Sequence, residues 1–291
     1  VNGLIVPFRA PKSAKIYKDM WTEKGSPIIY HTHDLCEKLK NVLGSDYHVD
    51  FAMRYKNPSL KKTLESWEGK NLKQIIILPL FPHYASATNG SVIEEAMDVI
   101  KKWWVIPELS FVSQFYNEEF YLKGFEEKGN AHDFKEYDHV LFSFHGLPER
   151  HVDKVYKDGL CKDNDCEHGI NNENIFCYKA TCYETAIQLA KRFKLKEEDY
   201  TVGFQSRLGR GWIEPFSDEI IVDLAKKGAK KLLVFSPAFV ADCLETIIEI
   251  GDEYQELFEE HGGEKVQLVE SLNSSDTFVH GLKEMILKRS L

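Results

Sequence analysis

The sequence predicts an α/β fold: two Rossmann-like lobes, each a parallel sheet flanked by helices, with a cleft between them. Three observations predict it. Short runs rich in β-branched and aromatic residues alternate with amphipathic stretches of helical length. The links between them are short, which suits parallel strands joined by helices that cover both faces of a sheet. The alternation also runs through the chain twice with similar rhythm, and a helical bridge over 117–137 separates the two passes.

Taken in order, strands are expected at 48–51, 74–79, 109–114, 139–144, 200–204, 231–235 and 266–270. The stretches around Ile75, around Phe142 and around Leu233 are almost wholly apolar, as strands buried on both faces of a parallel sheet must be. Helices are expected at 34–42, 91–104, 183–193, 217–227, 245–260 and 276–288, each with apolar residues recurring at helical spacing. The division that follows is an N-terminal lobe over 1–135, a C-terminal lobe over 136–275 that contains a cysteine segment at 158–182, and a C-terminal helix over 276–291.

Composition narrows the function. A hydrophobic content of 43% and a mean hydropathy of −0.36 describe a globular chain with a sizeable core. A net charge of −9 argues against a nucleic-acid partner, because phosphate binding needs clustered Lys and Arg. No apolar run approaches the roughly 20 residues that span a bilayer. The chain opens on Val1 rather than Met and shows no signal peptide. A cytoplasmic location is expected, with any membrane contact peripheral. Nucleotide binding gets little support, since the glycines of 203–211 match neither the dinucleotide nor the P-loop spacing.

Chemistry concentrates in a few places. Cys161, Cys166, Cys177 and Cys182 sit in one short window a little after His145. Four thiols in one loop form a complete soft-ligand set, so an iron–sulfur centre is the first reading and zinc the second, with disulfides or free thiols the structural alternative. The chain is long and not cysteine-dense, which disfavours a disulfide scaffold. His145 ends an apolar strand and is followed by Gly146 and Pro148, a placement that holds an imidazole at a cleft where it can accept a proton or bind a metal. Carboxylates at Asp242, Glu245, Glu249, Asp252 and Glu256 are three or four apart and would form one acidic helix face. A solvated surface explains Asp252 and Glu256; Asp242 and Glu245 directly follow an apolar strand and are expected near the cleft. Arg54, Tyr55 and Trp212 also follow strands or loops where a flat ligand could meet rings and donors, the alternative for each aromatic being core packing.

Read together, the segments 21–27, 53–58, 79–91, 142–150, 204–209 and 239–246 resemble the ferrochelatase family, in order and over most of the chain. The resemblance implies insertion of Fe2+, as substrate, into protoporphyrin IX or coproporphyrin III in haem biosynthesis. It implies that His145 and Glu245 are the reactive pair. It also implies that Asp242, Glu249 and Glu253 lie on an acidic line leading from the cleft, in a segment that in this family includes a wide, π-type turn, and that Arg54, Tyr55, Trp212 and Phe239 surround the macrocycle. A [2Fe-2S] cluster on Cys161, Cys166, Cys177 and Cys182 is expected, and a homodimer is compatible with the sequence. Against the family pattern, the opening strand would fall before Val1, Cys243 stands where some relatives carry histidine, and the tail after Met285 holds no cysteine. A non-catalytic iron or haem redox sensor and a cobalt-inserting chelatase are the alternative functions.

Overall fold

The computed structural model describes residues 20–291, so the expectation of a missing opening strand lies outside the described residues. Two parallel sheets organise the rest. The first pairs β1 (Gln74–Ile77) with β2 (Glu108–Phe111). The second holds β3 (His139–His145), β4 (Tyr200–Gln205), β5 (Lys231–Phe235) and β6 (Lys265–Leu268) in the spatial order β4-β3-β5-β6. Its strands are apolar because helices cover both faces, and Phe142, Phe144, Phe204 and Phe235 are all buried there. Burial of each such ring stabilises the fold by about 1.5–3 kcal/mol before packing strain is counted.

The helices follow from their apolar stripes and end where those stripes stop. They are α1 (Pro27–Leu43), α2 (Leu60–Glu65), α3 (Ser91–Ile100), α4 (Glu119–Gly129), α5 (Glu149–Asp153), α6 (Tyr178–Phe193), α7 (Ser217–Lys226), α8 (Tyr254–Glu260) and α9 (Asp276–Leu287). The C-terminal α9 packs back on α1 and α4. At its crossing with α4, a Cβ on Gly281 would stand 2.0 Å from the Phe120 ring, so only glycine lets the helices approach this closely.

Sequence and structure differ in two elements. Residues 48–51 are extended but join no ladder among the described residues; instead Met53 bonds back to its own turn through Pro58 and Leu60. The expected helix at 245–260 opens as a π-helix over Glu245–Glu253 and only then narrows into α8. A second π-helical stretch, Ser86–Gly90, leads into α3. No helix among the described residues is long and apolar enough to cross a membrane.

The strand order sets a topological switch point. From β3 the chain moves to β4 on one side, then returns to β5 on the other, so the connections leaving β3 and β5 diverge. Ligands of open α/β sheets bind beyond the carboxyl ends of strands at such a switch point. His145 ends β3, Gln205 ends β4, and the segment carrying Phe239 and Glu245 follows β5.

Candidate active site

His145 is fixed by its own backbone. Its Nδ1 lies 2.6 Å from the Gly146 carbonyl oxygen, which can only accept, so Nδ1 carries the proton and Nε2 keeps the lone pair in the neutral ring. The peptide between His145 and Gly146 is held at both ends. Its N–H donates to the Gln205 carbonyl at 2.7 Å, and its C=O accepts from the Tyr178 hydroxyl at 2.9 Å. A Cβ on Gly146 would meet the Gln205 carbonyl oxygen at 2.8 Å and the Trp212 ring at 3.2 Å, so glycine is what lets Trp212 lie against this turn. Phe239 stands edge-on to the imidazole, with ring centroids 6.1 Å apart.

Gln205, which the sequence reading placed in a resembling segment but gave no role, joins this histidine to the acidic segment. It is 1% exposed. Its side-chain oxygen accepts from Ser143 Oγ at 2.8 Å and Ser236 Oγ at 3.3 Å, and its amide donates to the Glu245 carbonyl at 3.1 Å and the Glu249 carboxylate at 3.2 Å. Glu249 accepts further from Ser206 N at 2.7 Å and Ser206 Oγ at 2.5 Å. Ser206 makes both bonds from a left-handed backbone, φ 62°. The carboxylate is therefore anchored at the end of β4. Burial, with the neighbouring Glu245 charge, holds the Cys243 thiol well above its usual range.

The carboxylates do not form the single helix face expected of them. Asp242 precedes the helix, is buried, and accepts from Ser271 N, Asn273 Nδ2 and Thr246 Oγ1 at 3.2, 2.8 and 3.3 Å. It secures the chain between β5 and the helix rather than extending a surface row. Glu245, Glu249 and Glu253 do share the π-helical stretch, where residues four apart stay on one side. Arg54 and Tyr55 stand apart in the N-terminal half: Arg54 pairs with Glu95 at 2.9 Å, bonds Ser91 at 3.2 Å and lies over the exposed Tyr55 ring.

Of the four neighbouring cysteines, three meet. The sulfurs of Cys161, Cys166 and Cys177 are 3.5–3.7 Å apart, and all three are buried. A metal held by thiolates at about 2.3 Å sets tetrahedral ligand edges near 3.8 Å, so this triangle fits three corners around one ion. Hydrogen bonds from Cys161 and Cys166 pull Cys177 down toward thiolate, and its place at the amino end of α6 adds to this. Tyr156 Oη lies 3.0 Å from Cys166 Sγ and so borders the same sulfurs. Cys182 is separated from them. It lies a turn further into α6, fully buried, where the Tyr178 hydroxyl meets its sulfur and burial raises its thiol well above the usual range.

Fold and site together have the frame of a chelatase: parallel α/β sheets with a histidine of fixed tautomer at a strand end, joined through Gln205 to a carboxylate-bearing wide helix. The solved structures it resembles agree on the frame. SirB from Bacillus subtilis with Fe3+ matches with a TM-score of 0.59 at 11% identity, over 92% of this chain and 90% of that one. CbiX, described as the terminal enzyme for biosynthesis of sirohaem in denitrifying bacteria, matches with a TM-score of 0.53 at 14% identity, over 92% and 95%. The sequence comparisons are narrower. The ferrochelatase family profile matches residues 1–290. A ferrochelatase of Legionella pneumophila (strain Lens) is 42% identical over 98% of this chain and 85% of its own length. One from Coxiella burnetii (strain Dugway 5J108-111) is 38% identical over 99% and 81%. The chain belongs to the ferrochelatase family, lyases that insert iron into a porphyrin.

Proposed function

We propose that the site between β3 and the π-helix binds a free-base porphyrin and exchanges its pyrrole protons for Fe2+, with His145 and Glu245 as the reactive pair. One observation carries this reading: the Gly146 carbonyl fixes the His145 tautomer so that Nε2 is the basic nitrogen at the end of β3. For each iron inserted the macrocycle gives up its pyrrole protons, so overall charge balances. His145 Nε2 receives protons from the ring, and Glu245, followed by Glu249 and Glu253 along the helix, supplies negative charge for the incoming dication. Phe239 and Trp212 beside His145 would hold the macrocycle bent, with its nitrogen lone pairs accessible. Arg54 and Tyr55 of the N-terminal half (1–135) would meet the far side of the ring.

His145→Ala and Glu245→Gln should each nearly abolish iron insertion while leaving porphyrin binding in place. Near-normal turnover in either would remove that residue from the mechanism. Protoporphyrin and coproporphyrin assayed in parallel assign the substrate, and cobalt in the same assay tests the cobalt chelatase alternative.

The cysteine segment is read as holding a [2Fe-2S] cluster on Cys161, Cys166, Cys177 and Cys182, whose chemistry when bound is one-electron transfer or purely structural cross-linking. The nearly equal sulfur triangle, with Cys182 outside it, favours a single tetrahedral ion as the second reading, zinc first among them. Visible absorption together with iron, zinc and sulfide analysis of fresh protein distinguishes the two: a red-brown sample with sulfide supports the cluster, and a colourless sample with stoichiometric zinc refutes it.

A further inference from the structure

The cysteine segment and the candidate reactive histidine touch at a single side chain. Cys177 caps α6, and the next residue, Tyr178, donates its hydroxyl to the His145 main-chain carbonyl at 2.9 Å. That carbonyl belongs to the peptide whose other end is held by Gln205, and the following carbonyl orients the imidazole. Tyr178 is 7% exposed. Its hydroxyl also meets Cys182, so the same oxygen borders the sulfur that stands outside the triad. A second connection runs in parallel: the Cys161 N–H donates to Asp153 Oδ1 at 2.9 Å, at the end of the short helix α5 that follows the His145 turn. On its far side the segment is braced against the N-terminal half, where Gln114 Nε2 donates to the Ile175 carbonyl at 3.0 Å and the Tyr84 and Phe176 rings meet at 5.6 Å.

We infer that Tyr178 is a positioning residue which couples occupancy of the cysteine site to the orientation of His145. The inference rests on the reading of His145 as reactive and of the triad as a metal or cluster site. The physics is that of a hydrogen bond at a strand end. The triad's thiols lie on separate stretches, 161–166 and the start of α6, and a bound metal locks these together and with them the first turn of α6. Locking that turn sets where the Tyr178 hydroxyl stands, and the hydroxyl sets the plane of the peptide that precedes Gly146. Without it the buried carbonyl of His145 lacks its side-chain donor and the peptide can tilt, carrying with it the acceptor that holds Nδ1–H. An imidazole released in this way spends part of its time with Nε2 misdirected or protonated in the other tautomer. The consequence is a slower chemical step at unchanged porphyrin affinity, since the ring walls are held by backbone bonds of their own, Trp212 through its loop's bridge to Pro148 and Phe239 through its turn to Ser236.

The test is Tyr178→Phe in protein purified with its metal site loaded. The ring that packs beside His83 is kept and only the donor is lost. The expected result is a roughly tenfold loss of kcat, the factor carried by one hydrogen bond of about 1.4 kcal/mol, with porphyrin KM, metal content and circular dichroism unchanged. The reactivity of His145 toward diethyl pyrocarbonate should change as well. Chelating the metal from wild-type protein should reproduce the loss of kcat, and chelating it from Tyr178→Phe should add little more. A Tyr178→Phe enzyme with normal kcat overturns the inference, and so does metal removal that costs both proteins the same factor. Diethyl pyrocarbonate reactivity of wild type before and after chelation needs no variant, and an unchanged rate overturns the coupling. His145→Ala separates the layers: if it retains turnover the site reading fails and the coupling with it, whereas an inactive His145→Ala beside a normal Tyr178→Phe sinks the coupling alone.

Discussion

Replacing Glu249 by glutamine asks whether this carboxylate is chiefly an anchor or chiefly a step on the iron route. In the structure it accepts from Ser206 N at 2.7 Å, Ser206 Oγ at 2.5 Å and Gln205 Nε2 at 3.2 Å, with Tyr254 Oη further off at 3.4 Å. Glutamine keeps the shape but puts an NH2 group where an acceptor stood. If its oxygen faces Ser206 N, its nitrogen faces the Gln205 amide, donor against donor. Hydrogen bonds onto a charge contribute about 1.5–3 kcal/mol and neutral ones about 1, so neutralising two short bonds and spoiling a third costs about 3 kcal/mol. With an unfolding entropy of about 2.1 cal/mol/K per residue over 291 residues, that is a fall in Tm of about 5 °C. Thermal melts give the stability change, and initial rates over a range of Fe2+ at saturating porphyrin give the functional one. The expected outcome is both a lower Tm and slower turnover at limiting iron, with porphyrin KM unchanged. A Tm within a degree of wild type would refute the anchoring argument. A lower Tm with an unchanged iron dependence would show that Glu249 is structural alone.

Two further outcomes follow from buried groups. His83 is wholly buried, and burial alone drops its pKa to about 3, so the native state leaves it neutral while the unfolded chain protonates it below about pH 6.5. Below that pH the unfolded state binds more protons, so stability is lost as pH falls from about 6.5 toward 3, by about 1.4 kcal/mol for each full unit; urea midpoints at pH 7.5 and 5.5 should differ in wild type and differ less in His83→Gln. Cys177→Ser removes the triad's thiolate, and it should lower both bound metal and Tm, as followed by metal analysis and thermal melting; retention of full metal content would place the ligands elsewhere.

Much of the frame could be read from residue order. β3 and β5 were legible because strands covered on both faces have to be apolar throughout, and Val140, Leu141, Phe142, Leu233, Val234 and Phe235 leave little else to be. His145 was legible because it ends such a strand. Residues 48–51 misled, since an extended run carries the pattern of a strand whether or not a partner lies alongside. The wide turn at Glu245 was anticipated from the family resemblance and not from periodicity, because carboxylates four apart look alike in α- and π-helices. Gln205 and Ser206 entered only as part of the segment 204–209 that carries the resemblance, without a role, and Tyr178 gave no signal: each acts on residues 33 to 43 positions away, through backbone groups that residue type does not reveal. The cysteines were legible as a neighbouring set of thiols, but their grouping into a triad with Cys182 outside it was not. Cys177 caps a helix and Cys182 lies inside it, and that change of local structure is what parts two thiols only a few residues apart.

The π-helix of Glu245–Glu253 spends more residues on its nine-residue stretch than an α-helix would need to cover the same distance. Such a surplus cannot be trimmed without effect. Removing surplus residues would let the segment relax toward ordinary α geometry, which covers the same distance with fewer residues, so that side chains within the stretch would be re-aimed while the helix beyond it could keep its place. Tyr254 and Phe258 would stay in the core they now fill, while the side shared by Glu245, Glu249 and Glu253 would be lost. The surplus thus aims the carboxylates of this stretch without displacing the helix that follows, a re-aiming that substitution within an α-helix could not supply.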